Sequence, residues 1–151
     1  MVTIATRTYG DPVQSARDYL RAATDLVGVG KPIAAAAQIN AKRITKADVT
    51  GQPFVQLIPA GGFGQRGPVD KHFRVALLCY APTDPEAYDL YEIVSAILVP
   101  DQAIRNGWEN DAAHVVYVAE EGGPFRDTHA EYLTPFVRSS FGLIVRSRPR
   151  V

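Results

Sequence analysis

From Phe54 to Leu98 the chain reads as strand, glycine-rich connection, strand, tight turn and helix. Both ends of this stretch are amphipathic, which restricts the folds available. In His72–Tyr80, the residues Phe73, Val75, Leu77 and Cys79 alternate onto one apolar face, and His72, Arg74, Ala76, Leu78 and Tyr80 form a mixed second face. A central or partly covered strand has this pattern. After Pro82, Thr83 or Asp84 can cap a helix that Pro85 starts, and Pro100 ends it. Ala87, Leu90, Tyr91, Val94, Ile97 and Leu98 form its single apolar stripe. A one-sided strand followed by a one-sided helix buries both faces when the helix lies on the sheet, so a layered α+β arrangement is expected.

The rest of the chain fits that frame. Asp11 can cap a first helix with Pro12 at its first position and Gln14 at the capping-box position. Val13, Ala16, Leu20, Ala23 and Val27 recur at helical spacing, and Gly28, Gly30 and Lys31-Pro32 stop the helix. Ala34–Ile44 can be read two ways. Its alanines suit a helix, whereas the alternation of Ile39, Ala41 and Arg43 with polar residues leans toward a strand. Phe54–Ile58 reads as a strand and Pro59–Asp70 as a long loop. Asp101–Asp111 reads as a connection with Trp108 as an anchor, His114–Ala119 as a strand and Glu120–Pro124 as a turn. Phe136–Arg146 is a final strand with Val137, Phe141, Leu143 and Val145 on one face. The expected architecture is one domain over residues 1–151. It has a mostly antiparallel sheet, two helices packed on one face and a long hairpin arm.

Composition excludes several function classes. The 151 residues carry 16 Lys+Arg and 16 Asp+Glu, so an overall basic footprint for nucleic acid is absent. The balance conceals an asymmetry. Residues 1–75 hold 10 basic and 5 acidic side chains, and residues 76–151 hold 6 and 11, with all the latter acids between Asp84 and Glu131. Solvated faces account for such a pattern, and so do complementary surfaces for head-to-tail self-association. The lone cysteine, Cys79, excludes an internal disulfide framework and a multi-cysteine zinc site. The N-terminus has no signal-peptide pattern, and no apolar run approaches the roughly 20 residues of a membrane helix, so synthesis as a soluble intracellular chain is expected.

One motif points toward chemistry. Gly62-Phe-Gly-Gln-Arg-Gly67 matches the glycine spacing of phosphate-binding loops, in which backbone N–H groups approach a phosphate closely. Pro68 follows at once and the next element is a strand, so no helix dipole faces the loop. A kinase-type glycine loop joins strands but also requires a strand lysine and metal-binding aspartates in fixed motifs, none of which is present. The favoured reading is a structural arm. Its candidate interface residues are Phe63, Gln65, Arg66, Asp70 and Lys71, with Phe63 as apolar anchor and Arg66 as charged contact. The histidines His72, His114 and His129 lack metal-ligand spacing. Asp127 and His129 have no nucleophile elbow to serve, and Glu120-Glu121 reads as a turn flank. Arg146, Arg148 and Arg150 read as a solvated tail. No catalytic set, cofactor or metal is expected.

Phe73-Arg-Val-Ala-Leu-Leu-Cys-Tyr-Ala-Pro-Thr-Asp-Pro-Glu-Ala-Tyr-Asp-Leu90 resembles the core of tail terminator proteins of long-tailed bacteriophages. The flanking order agrees: an N-terminal amphipathic helix, a strand ending Leu57-Ile-Pro59 before a variable loop, and a closing strand within Tyr132–Arg146. The resemblance implies a structural virion protein made in the host cytoplasm. Such proteins form a ring, usually hexameric, that caps the tail tube and meets the head connector or stopper. It implies no catalytic residue and no cofactor, membrane or sequence-specific nucleic-acid partner. The alternatives are another head–tail neck protein, stopper or adaptor, and a small-ligand-binding α+β domain using the Gly62–Gly67 loop.

Overall fold

The computed structural model describes residues 7–22, 38–40, 44–62, 64–66, 69–99 and 107–149. In chain order the elements are β1 (Arg7–Thr8), α1 (Pro12–Ala22), β2 (Gln38–Asn40), α2 (Lys46–Val49), β3 (Phe54–Pro59), β4 (Gly64–Arg66) and β5 (Asp70–Tyr80). They continue with α3 (Asp84–Leu98), β6 (Trp108–Glu109), β7 (His114–Thr128), β8 (Pro135–Arg146) and β9 (Arg148–Pro149). The fold is α+β, with a curled, mostly antiparallel sheet in the order β2-β3-β5-β8-β7-β6. The β2–β3 pair is parallel, and β1 pairs with β9 in a separate small ladder. None of the described helices is long and apolar enough to cross a membrane.

The helix starts follow the sequence signals. The Asp11 carboxylate accepts the N–H groups of Val13 and Gln14, both at 3.1 Å, which satisfies otherwise orphaned donors of α1. Gln14 does not close a capping box; its amide donates to Asp18 instead. Thr83 caps α3 by accepting the Glu86 N–H. The expected end of α1 at Val27–Gly30 and the alanine run Ala34–Ala37 lie outside the described residues, whereas Gln38–Asn40 is a strand, as the alternation favours.

α1 and α3 cover one face of the sheet. Leu20, Leu90 and Val94 pack there against Val55, Leu57, Leu77, Cys79, Val137, Phe141 and Leu143, all essentially buried. Burying such side chains contributes roughly 1.5–3 kcal/mol each, so this layer dominates the stability. On the opposite face, Val49 of α2 and Ile44 just before it meet Phe54, Ala76, Leu78 and Tyr80 at one end, flanked by Tyr132 and Phe136. The mixed face of β5 therefore sits in a central strand with partial cover.

Two segments differ from expectation. Most of Pro59–Asp70 is a continuation of the edge strand, not an unpaired loop. β3 pairs with Val75–Tyr80, and β4 pairs with Asp70–His72 on the same side of β5. Ala60 donates to the Arg74 carbonyl (2.8 Å) and Arg74 to the Gly61 carbonyl (2.6 Å) between them. The long hairpin arm is thus largely a bent ladder. Glu120–Pro124 is not a turn but lies inside β7, where register shifts at Glu120/Gly122 and Gly122/Phe125 absorb the extra residues. Gly123 adopts φ +104° there, a conformation open to glycine. The hairpin turn comes later, at His129–Thr134.

Candidate interface surfaces

The arm presents its expected residues unevenly. Phe63 lies outside the described residues. Gln65 and Arg66 stand on β4, their backbones opposite Lys71 and Asp70. Asp70 is already engaged within the chain. Arg146, its cross-strand neighbour on β8, donates to its carboxylate through Nε at 3.0 Å and Nη2 at 3.4 Å. Lys71 differs. Its ammonium sits 5.2 Å from the Phe73 ring centre and 5.7 Å from that of Tyr9, and it meets no carboxylate among the described residues. Tyr9 and Phe73 meet edge to face at 6.2 Å. Beside them lies an open pocket of about 350 Å³, walled by Pro12, Val13, Gly61, Gly62 and Phe73.

The glycines of the candidate phosphate loop have a structural explanation. A Cβ on Gly62 would lie 2.4 Å from the His72 carbonyl oxygen, so the glycine permits close approach of two backbones. Gly64 holds φ +81° at the start of β4. The segment leads into β4 and β5, so no helix follows it in the chain as a phosphate-binding loop requires.

Two side-chain clusters flank β8 on opposite faces. On the open face, Glu121 of β7 reaches across to β5. Its Oε1 is 2.6 Å from His72 Nε2, and its Oε2 accepts from Arg74 Nε at 3.1 Å. Gly142 makes this crossing possible, because a Cβ there would lie 1.9 Å from Glu121 Oε1. Burial raises the Glu121 pKa, but the hydrogen bonds and charges of His72 and Arg74 outweigh it and hold the carboxyl below its ordinary value. On the helix face, Tyr91 of α3 donates to the Glu120 carboxylate, and burial together with that carboxylate pushes the Tyr91 phenol up. Ser139 Oγ lies 2.8 Å from both the Glu120 carboxylate and the Gly122 carbonyl. Both clusters tie neighbouring elements together. Among the described residues, no three His, Cys, Asp or Glu side chains converge as a metal-binding group.

His129 also has a local role. His129 Nδ1 accepts the N–H groups of Glu131 (3.2 Å) and Tyr132 (3.0 Å), while Asp127 accepts the Thr128 N–H. The most informative surface is one that the sequence did not signal. Among the described residues, the large apolar side chains that stand exposed are Tyr117 (51%), Phe125 (65%) and Leu133 (75%), all on the β7–β8 hairpin. A strand-interior glycine at 142 is a legible sign of a close crossing such as that of Glu121. Leu133 carries no turn signal at all.

No protein family matches the chain, and no curated protein is significantly similar to it.

Proposed function

We propose that this chain is a structural virion protein of the tail-terminator type, which forms a ring on the end of the phage tail tube and offers the surface that meets the head connector or stopper. The observation that carries the reading is the set of exposed apolar side chains spread along one hairpin, Tyr117, Phe125 and Leu133. Large apolar side chains held in water along one hairpin suit burial against neighbouring copies or partner proteins. The β5–turn–α3 unit that bears the resemblance lies at the centre of the sheet and under its helix layer, which agrees with a scaffold role for those residues. In this reading the partners are other copies of the chain, the tail tube protein and the connector, and the protein catalyses no reaction and needs no cofactor.

The test is to add the purified chain to polymerising tail tube protein and to examine the products by electron microscopy. The expected result is shorter tubes that carry a ring of this protein at one end. An unchanged length distribution, together with assembled tails in which this protein forms no ring, would overturn the reading.

A further inference from the structure

Leu133 breaks two local rules at once. It sits at φ +54°, in the left-handed region that turns usually give to glycine or asparagine, and it is the most exposed large apolar side chain described. The turn that holds it is well braced. The His129 N–H donates to the Thr134 carbonyl and the Leu133 N–H to the His129 carbonyl, both at 2.9 Å. The His129 ring stacks on Tyr132 at 4.4 Å with 4° between planes. The fold thus holds a leucine out in water in an unfavourable backbone conformation, and Glu131 stands exposed two residues before it. Violations of local preference without a compensating contact inside the chain are expected at functional positions.

The complementary feature lies at the other end of the molecule. The pocket between α1 and the arm has apolar walls, Pro12, Val13 and Phe73, and Lys71 lies at its rim with no carboxylate partner among the described residues. The hairpin tip adjoins Phe136, whose neighbour on β5 is Tyr80, whereas Lys71 pairs with Val145. At about 3.3 Å per residue, the two sites are separated by roughly 30 Å along β8. A contact between opposite ends of identical subunits is head-to-tail, the kind that closes into a ring or propagates.

We infer that the β7–β8 hairpin tip of one copy docks in the α1–arm pocket of a second copy, with Leu133 inserted between Val13 and Phe73 and Glu131 facing Lys71. This rests on the ring-forming reading above and assigns the contact that would join its subunits. The excess of basic residues before residue 75 and of acidic residues after it has the sign this contact requires.

Sedimentation of the full chain over a concentration series tests the contact. Leu133→Gly is expected to weaken self-association at least tenfold without lowering the melting temperature at concentrations where both chains are monomeric, because glycine accepts the backbone that leucine strains. Lys71→Glu and Glu131→Lys are each expected to weaken it, and an equimolar mixture of the two is expected to recover it, since alternate copies then match. Wild-type association by the Leu133→Gly variant overturns the inference, as does a mixture no better than its components. If Lys71→Glu fails to fold, Leu133→Gly and Glu131→Lys, both on an exposed turn, decide the matter alone. A wild-type chain that stays monomeric at millimolar concentration also overturns the contact, while the tube-capping result separately decides the tail reading.

Discussion

At the residue scale, two positions show how a single atom decides what its neighbours can do. Gly142 has no Cβ, and Glu121 occupies the space a Cβ would take. Gly142→Ala is expected to push Glu121 off His72 and to cost about 1–3 kcal/mol, the usual range for overpacking, as measured by urea denaturation. The same carboxylate sets a pH dependence. Its pKa is lower in the folded chain than its unfolded value near ~4.3, so it favours the fold above that value. That contribution is lost as the pH falls through the lowered folded value. Glu121→Gln is therefore expected to be less stable than wild type at pH 7, and the gap is expected to close toward pH 3. Leu133 runs the other way. Its positive φ costs on the order of 1 kcal/mol, so Leu133→Gly is expected to raise stability slightly in the monomer. A lower melting temperature for that variant would show that Leu133 packs within its own subunit.

At the element scale, β5 and α3 were the most legible parts of the chain. Their apolar residues recur at the periods of a strand and a helix, and those periods place Leu77, Cys79, Leu90 and Val94 in one core layer, as observed. Truncating Leu77 to Ala is expected to cost about 2–5 kcal/mol in chemical denaturation, since the side chain is fully buried beneath α3. Burial also pushes the Cys79 thiol well up, so its reaction with a thiol reagent is expected to track global unfolding. Fast modification of the native protein would mean that the β5 register is wrong. Legibility failed where composition and pairing disagree. Glu120-Glu-Gly-Gly-Pro124 has turn composition, yet β8 offers a continuous partner and β7 absorbs the glycines as bulges. Gly61 and Gly62 likewise suggest a loop, while the ladder along β5 runs through them. Cross-strand partners of this kind are set by tertiary register, which a window of sequence does not contain. The same limit hid the His72–Glu121 pair, whose members are 49 residues apart and meet only across β8.

At the scale of the whole molecule, the two ends of the chain are tied through one small polar network. Ser15 of α1 is fully buried, and its hydroxyl donates to Asn110 Oδ1 at 2.7 Å and accepts from Trp108 Nε1 at 2.9 Å. Asn110 donates back to the Ser15 carbonyl at 2.9 Å, and its Oδ1 also accepts the N–H groups of Ala112 and Ala113 at 3.2 Å. Arg148 next to β8 closes the set by donating to the carbonyls of Asn110 and Asp111 at 2.8 and 2.7 Å. Trp108 stacks on Tyr19 of α1 at 4.2 Å with 5° between planes, so its fluorescence reports whether α1 is docked on this corner of the sheet. It is the only tryptophan in the chain, which makes that signal specific. In the wild type, Trp108 fluorescence and far-ultraviolet circular dichroism are expected to give coincident unfolding curves, as one cooperative unit requires. Asn110→Ala removes the acceptor shared by Ser15, Ala112 and Ala113 and leaves buried donors unpaired, a loss of roughly 1–3 kcal/mol. Because that loss falls on the joint between α1 and the strands, the fluorescence transition of the variant is expected at lower denaturant than the dichroism transition. Coincident transitions at the wild-type midpoint would show instead that α1 is held by Ala16, Leu20 and the apolar layer alone, and that the polar corner is dispensable for docking.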